Sequence, residues 1–223
     1  MGEITRSIID YALDSSLWDL GNEVLYSLCR KHPGHEKADE IIAKVWLIGR
    51  SYAAAIERGR TGGDKFSSDE FYEKVVAGKI AKSKFKIDEE LKKVKNISDG
   101  VCVHKQLIKV FKKINKKRKL RSLASKYLHF HKPNIFYIYD SRAAKTIKAI
   151  YKDITNKHSV KLISVNCKQS KPDDEYLKFC SYCEWLQSYI KDKFKLTKKL
   201  TPRQLDKVLL KIESVKEKKK KRV

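Results

Sequence analysis

The chain has 223 residues, 41% of them hydrophobic, with eight Phe, eleven Tyr and three Trp; it is long and apolar enough to bury a core, which excludes a disordered segment. No apolar run approaches the ~20 residues of a membrane helix, and the polar start MGEITRSIIDYALDSS does not read as a signal peptide. The net charge of +24 is unevenly spread: residues 1–58 hold seven Lys/Arg against nine Asp/Glu, and residues 100–139 hold eleven Lys/Arg and no acid. A bias of that kind is the electrostatic footprint of a polyanion binder, nucleic acid first among them.

In chain order the pattern predicts helices nearly throughout. EITRSIIDYAL sets Ile4, Ile8, Tyr11 and Ala12 on one face, and LWDLGNEVLYSLCRKHPG sets Leu17, Leu20, Val24 and Leu28 inward before Pro33-Gly34. EKADEIIAKVWLIGRSYAAAIERGR is the longest predicted helix, ending at Gly59, with acids in its first turn and arginines in its last. Its small residues Gly49, Ala53, Ala54 and Ala55 permit a close backbone approach, with Arg50, Glu57 and Arg58 alongside. Ser67 or Ser68 is placed to cap a helix around EFYEKVVAGKIAK. Residues 79–98, rich in lysine, predict a connector or a short exposed helix.

VCVHKQLIKVFKKINKK predicts a helix with Val103, Leu107, Val110 and Ile114 inward. Its other face carries Lys105, Lys109, Lys112, Lys113 and Lys116, a basic stripe about 16 Å long at 1.5 Å rise per residue, continued by Lys117, Arg118 and Arg121. Next, LRSLASKYLHF reads as a helix stopped by Pro133, followed by an extended IFYIY and by Asp140 as cap of SRAAKTIKAIY. SVKLISV is the single β-like run. EYLKFCSYCEWLQSYIKDKF and LTPRQLDKVLLKI are helical, the latter with Thr201 as cap and Pro202 at its first position, and KEKKKKRV is a low-complexity tail.

Five cysteines at irregular spacing suggest reduced thiols and a cytoplasmic, nucleoid-associated or nuclear compartment rather than secretion. Cys180 and Cys183 form a CxxC, with Cys167 upstream, and Cys29, His32 and His35 form a second cluster; mid-helix packing and ordinary helix capping account for both better than a metal does. No metal and no cofactor is expected.

A lysine near one helix, a KP break, a few apolar residues and an Asp at a helix start resembles the helix–hairpin–helix DNA glycosylases, the 8-oxoguanine DNA glycosylase branch nearest, over residues 100–150. The resemblance implies an all-α, two-lobed helical bundle and a base-excision repair enzyme, a DNA glycosylase and AP lyase if active. In that family a lysine attacks C1′ of the flipped damaged nucleotide to form a Schiff base, and an aspartate assists. Carried over, the aspartate is Asp140, and the lysine is Lys126 by its small hydroxyl neighbour or Lys119 by alignment on KP. The family's glycine-rich hairpin is replaced here by NKKRKLRSLASK.

The expected partner is DNA, through its phosphate backbone and the flipped base, with no membrane and with the oligomeric state open. Lys105, Lys109, Lys112, Lys113, Lys116, Lys117, Arg118, Arg121, His129, His131 and Arg142 are the candidate contacts. A non-catalytic nucleic-acid-binding protein is the alternative, and a metal-dependent nuclease using His129, His131 and Asp140 is a further one. The expected organisation is one helical domain over 1–200 in two packed lobes, approximately 1–60 plus 170–212 and 61–169, then a basic disordered tail over 213–223.

Overall fold

A computed structural model of the chain describes residues 4–58, 66–118, 120–168 and 170–220. Among the described residues the fold is all-α, with no strand. The helices are α1 (Arg6–Leu13), α2 (Asp19–Lys31), α3 (Ala38–Ser51), α4 (Ser68–Phe71), a π-helical turn (Tyr72–Ala77), α5 (Gly78–Ala81), α6 (Ile87–Lys93), α7 (Ile97–Ile114), α8 (Arg121–His131), α9 (Ser141–Thr155), α10 (Asp174–Lys193) and α11 (Pro202–Lys220).

Packing divides the chain into two units. Unit 1 comprises Met1–Leu17, Tyr137–Ser164 and Asp174–Val223; unit 2 comprises Trp18–Phe136 and Val165–Asp173. The lobes read from the sequence were drawn elsewhere, near 60 and 170. Leu25, Ile41, Val45 and Ile48 of α2 and α3 instead join one apolar cluster with Leu107, Phe111, Tyr127 and Leu128 of α7 and α8, and that shared core holds α2 and α3 in unit 2.

In unit 1, α1 and α9 both pack on α11, and α10 packs on α9. Tyr137 opens the extended segment before α9, its hydroxyl donating to Glu184 at 2.6 Å and Gln187 at 2.7 Å while its carbonyl accepts from Tyr176 at 3.0 Å. In unit 2, α7 and α8 lie against one another, α8 also touches α2 and α3, and α6 packs on α7. The segment after α8 comes close to α7 at Gly100: a Cβ there would stand 2.8 Å from the ring of Phe136, so glycine is required for the approach.

Lysine ammonium groups finish helix ends, three of them buried (Lys44, Lys126 and Lys207), with Lys132 half-buried and Lys79 exposed. A helix leaves its last carbonyls without intrahelical partners, and a lysine amine can supply the missing donors. Lys207 donates to Asp14 at the end of α1, Lys44 to His32 (2.6 Å) and Gly34 after α2, and Lys126 to Tyr52 (3.0 Å) after α3. Lys132 donates to Val94 (2.9 Å) after α6, and Lys79 to Lys113 (2.7 Å) in the last turn of α7. Part of the lysine richness, Lys44, Lys126 and Lys207, is therefore spent inside the fold.

Several sequence expectations are corrected. The long helix stops at Ser51 rather than Gly59, because Ala53 turns into the left-handed region (φ 52°) and Ala54 N–H returns to the Gly49 carbonyl at 2.7 Å. The close approach foreseen at Gly49 is this turn, since a Cβ on Gly49 would lie 3.1 Å from Ala55 Cα. On α2 the buried positions are Asn22, Leu25 and Cys29, while Leu20 and Val24 are exposed. SVKLISV has no regular secondary structure and pairs with no strand; its Ile163 N–H donates to Ser181 Oγ at 3.1 Å. The tail is helical through Lys220, because Thr201 and Gln204 exchange capping bonds and Leu205, Val208, Leu209 and Ile212 anchor the helix; residues 221–223 lie outside the described residues. Finally, Cys102 and Cys167 are joined in a disulfide at a Cα separation of 5.3 Å, so only Cys29, Cys180 and Cys183 among the cysteines are thiols.

Candidate functional site

The basic face of α7 belongs to unit 2. Asn96 caps the helix by accepting from Asp99 N–H at 3.1 Å, and Val101, Val103, Leu107, Val110 and Phe111 bury its apolar side. That burial turns Lys109, Lys112 and Lys113 to solvent, with Lys116 and Lys117 exposed just beyond the helix and Lys105 and Arg118 half-buried. Exposed ammonium groups of this kind can meet phosphate by counterion release.

Beside this face runs a groove of ≈ 440 Å³ lined by Lys84, Phe85, Lys86, Gln106, Lys109 and Lys113, among others. A second compartment of ≈ 370 Å³ shares Phe85, Glu90 and Gln106 with it and continues along α7 past Val103, Cys102 and Asp99 to Lys168. For residues 79–98 the sequence predicts a connector or a short exposed helix; a short helix, α6, is there, but it is packed on α7 rather than exposed all round, and the 83–90 wall follows from that packing. The signal that would have found it is Ile87 and Leu91, both buried, which seat α6 on α7.

α8 carries most of the other predicted residues, and here their tasks are internal. Lys126 is buried; its amine donates to the Tyr52 carbonyl at 3.0 Å and Ser122 Oγ at 2.9 Å, and it sits 5.8 Å from the centre of the Tyr52 ring. Lys119 lies outside the described residues. Arg121 forms a bidentate pair with Asp173, its Nη2 2.9 Å from Oδ2, with both side chains only 14% exposed. Arg118 reaches back to the Ala55 carbonyl at 3.4 Å.

The histidines expected to touch nucleic acid are core residues. His129 is fully buried, its Nδ1–H donating to the Phe136 carbonyl at 2.8 Å, so its Nε2 accepts from the Tyr26 hydroxyl at 2.8 Å. With both nitrogens engaged, His129 has no electron pair left for a metal, which removes the nuclease reading. His131 Nε2 is sealed from solvent, with its ring 5.1 Å from that of His35 and 5.0 Å from that of Tyr127, and burial holds its pKa well below the ordinary histidine value.

Asp140 belongs to unit 1. Its carboxylate caps α9, accepting from Arg142 N–H at 2.8 Å, and is 28% exposed. Arg142 is exposed and lies 3.5 Å from Asp140 and 3.8 Å from Glu213. The capping role read from the sequence is present in full.

One constellation in unit 2 escaped the sequence reading. Asp88 accepts from His35 Nδ1–H, which leaves His35 Nε2 to accept from the Tyr127 hydroxyl at 2.7 Å. Burial, then the Lys44 cation, lowers the His35 pKa to about 3, so the imidazole is neutral. Burial likewise pushes Tyr127 well above the ordinary tyrosine value and the Cys29 thiol up to about 12. Carboxylate, imidazole and phenol in line have the form of an activated hydroxyl, but Tyr127 is wholly inside the core and no substrate reaches it. The residues come from positions 35, 88 and 127, a separation no local pattern bridges. A third cavity of ≈ 70 Å³ lies against His35, Asp88 and Phe85.

A family model described as HI_0787_N, N-terminal domain, matches residues 4–135, more than half of the chain. The chain belongs to the HI_0787_N family. The matched span contains α7, the groove and Lys126, and it ends before Asp140. Comparison with curated proteins and with solved structures finds no match. Membership in the HI_0787_N family thus carries a domain and no stated chemistry, and the function has to be argued from the residues. No described helix is long and apolar enough to cross a membrane.

Proposed function

We propose that the chain is a nucleic-acid-binding protein that grips phosphate with the exposed lysines of α7. The observation that carries this reading is the sequence run 100–139, free of acids, folded so that Lys109, Lys112, Lys113, Lys116 and Lys117 all stand in solvent. A chain needing only solubility would mix both signs along such a face. The partner is DNA, and the compartment follows the partner: cytoplasm beside the nucleoid, or nucleus. Binding should be tight at low salt and fall linearly in a log–log plot as salt rises; an affinity independent of salt would refute it.

The resemblance to the 8-oxoguanine glycosylases supplies a finer reading, a base-excision enzyme with Lys126 as nucleophile and Asp140 as its carboxylate. What supports it is the order along the chain: a buried lysine on the helix before the KP break, then an aspartate at the next helix start. In this reading Lys126 must leave the Tyr52 carbonyl and lose a proton before it can attack, as any amine nucleophile must. Borohydride reduction in the presence of an oligonucleotide carrying 8-oxoguanine or an abasic site should trap a covalent complex, and Lys126→Gln should abolish it. If nothing is trapped by the folded protein, the binding reading stands without the chemistry.

A further inference from the structure

We propose that the paired compartments along α7 form a channel for single-stranded nucleic acid, with Phe85 as the stacking platform between two nucleotide positions. The inference rests on the nucleic-acid reading above and goes past it in naming the form of the polymer and the residue that selects it.

Three observations meet in the groove. The first is its course: the lining runs along one side of α7 from Asp99 to Lys113, fourteen residues, or about 21 Å at 1.5 Å rise per residue. The second is size. At ≈ 440 Å³ and ≈ 370 Å³, each compartment lies within the ~300–1,000 Å³ range that surrounds one small ligand, so each takes a base with its sugar and not a double helix. The third is chemistry. Lys84, Lys86, Lys109 and Lys113 line the first compartment and Lys93 and Lys168 the second, six cations against the three acids Glu89, Glu90 and Asp99.

Glu90 and Lys93 pair at 2.6 Å and cancel each other, while Asp99 keeps its charge, accepting the Lys95 N–H at 3.0 Å near the start of α7, and offsets Lys168 in the second compartment. The phosphate-facing surplus is therefore concentrated at Lys84, Lys86, Lys109 and Lys113, around the first compartment.

Phe85 lines both compartments and also the small cavity beside His35 and Asp88, so this residue lies where the three adjoin. It is half-buried, packed on the core from one side. Stacking of bases on aromatic rings in a basic groove is the general means by which proteins hold single strands regardless of sequence, because every base has a π face. A duplex offers its phosphates to the outer lysines but keeps its bases stacked on each other, out of reach of this ring.

The test uses the full chain and fluorescence anisotropy with labelled dT12 and with a blunt hairpin duplex at fixed salt. The wild type should hold dT12 more tightly than the duplex. Phe85→Leu keeps the apolar packing and removes the stacking ring; it should weaken dT12 binding about five- to a hundredfold while duplex binding changes little. Phe85→Trp should restore dT12 binding and add a fluorescence component that dT12 quenches. The double change Lys84→Gln with Lys86→Gln should lower the salt slope on dT12 by about 1.4 units. Equal loss on both forms from Phe85→Leu, or no loss on either while both still bind, would overturn the channel and leave the phosphate-binding reading in place. Failure of the wild type to bind any nucleic acid would overturn both. Melting temperatures of the variants matched to wild type ensure that a loss of binding is not a loss of fold.

Discussion

The ammonium of Lys126 donates to the carbonyl of Tyr52, 74 positions earlier in the chain, at 3.0 Å. Tyr52 is the residue at which α3 ends, so a lysine that the sequence marks as a nucleophile is, in the folded chain, the donor that closes a helix. Lys126→Met should leave that carbonyl and the Ser122 hydroxyl without this donor and cost about 1–3 kcal/mol of stability by denaturant unfolding. Stability unchanged within ~0.3 kcal/mol would show that the amine has no structural task and is held for chemistry alone.

Acid should destabilise the protein through its buried histidines. His35 and His104 have folded pKa values lowered to about 3, mainly by burial, against 6.5 for the free side chain. Between pH 6.5 and 3 the unfolded chain therefore binds more protons than the folded one, so stability rises with pH across that window and is lost as pH falls through it. At about 1.4 kcal/mol per pKa unit, His35 alone accounts for up to about 5 kcal/mol. His35→Gln should flatten the fall in urea midpoint below pH 6.5. An identical pH profile in the variant would mean that His35 is charged in the folded state.

Gly100 has no room for a side chain, since its Cβ would meet Phe136 Cε1 at 2.8 Å. Gly100→Ala gains helix propensity of at most ~1 kcal/mol, but it overpacks the core at a cost of about 1–3 kcal/mol. The net change should be destabilising, and the double variant Gly100→Ala with Phe136→Leu should recover part of it. A more stable single variant would contradict the packing.

How far the sequence led can be judged helix by helix. The buried face of α7 and the caps Ser67 and Asp140 were legible, because one apolar side or one short polar residue decides them locally. The inward face of α2 was not. Apolar residues lie on both its sides, and the choice is made by α3 and α8, where the Tyr52 hydroxyl holds Asn22 at 2.6 Å. Of the candidate contacts on α7, Lys109, Lys112 and Lys113 are exposed and Lys105 is half-buried. His129, His131 and Arg121 are engaged or sealed by Tyr26, His35 and Asp173, far away in sequence, which charge patterning cannot anticipate. The Cys102–Cys167 disulfide, spanning 65 residues, was hidden for the same reason.

That disulfide gives a direct count. Alkylation of the unfolded, unreduced protein should label three cysteines, Cys29, Cys180 and Cys183, and reduction should raise the count to five. Five labelled before reduction would return Cys102 and Cys167 to the thiol state.

The central claim is that the α7 lysines neutralise phosphate. It is tested most directly by the salt dependence of binding to a 20-base-pair duplex in the wild type and in the triple variant Lys109→Gln, Lys112→Gln, Lys116→Gln. Each duplex phosphate contact contributes about −0.9 to the log–log slope. The account predicts that the variant's slope is shallower by two to three units, about 2.7 for three full contacts, with the melting temperature unchanged. A slope equal to that of the wild type would contradict it and leave the stripe as a solvated face.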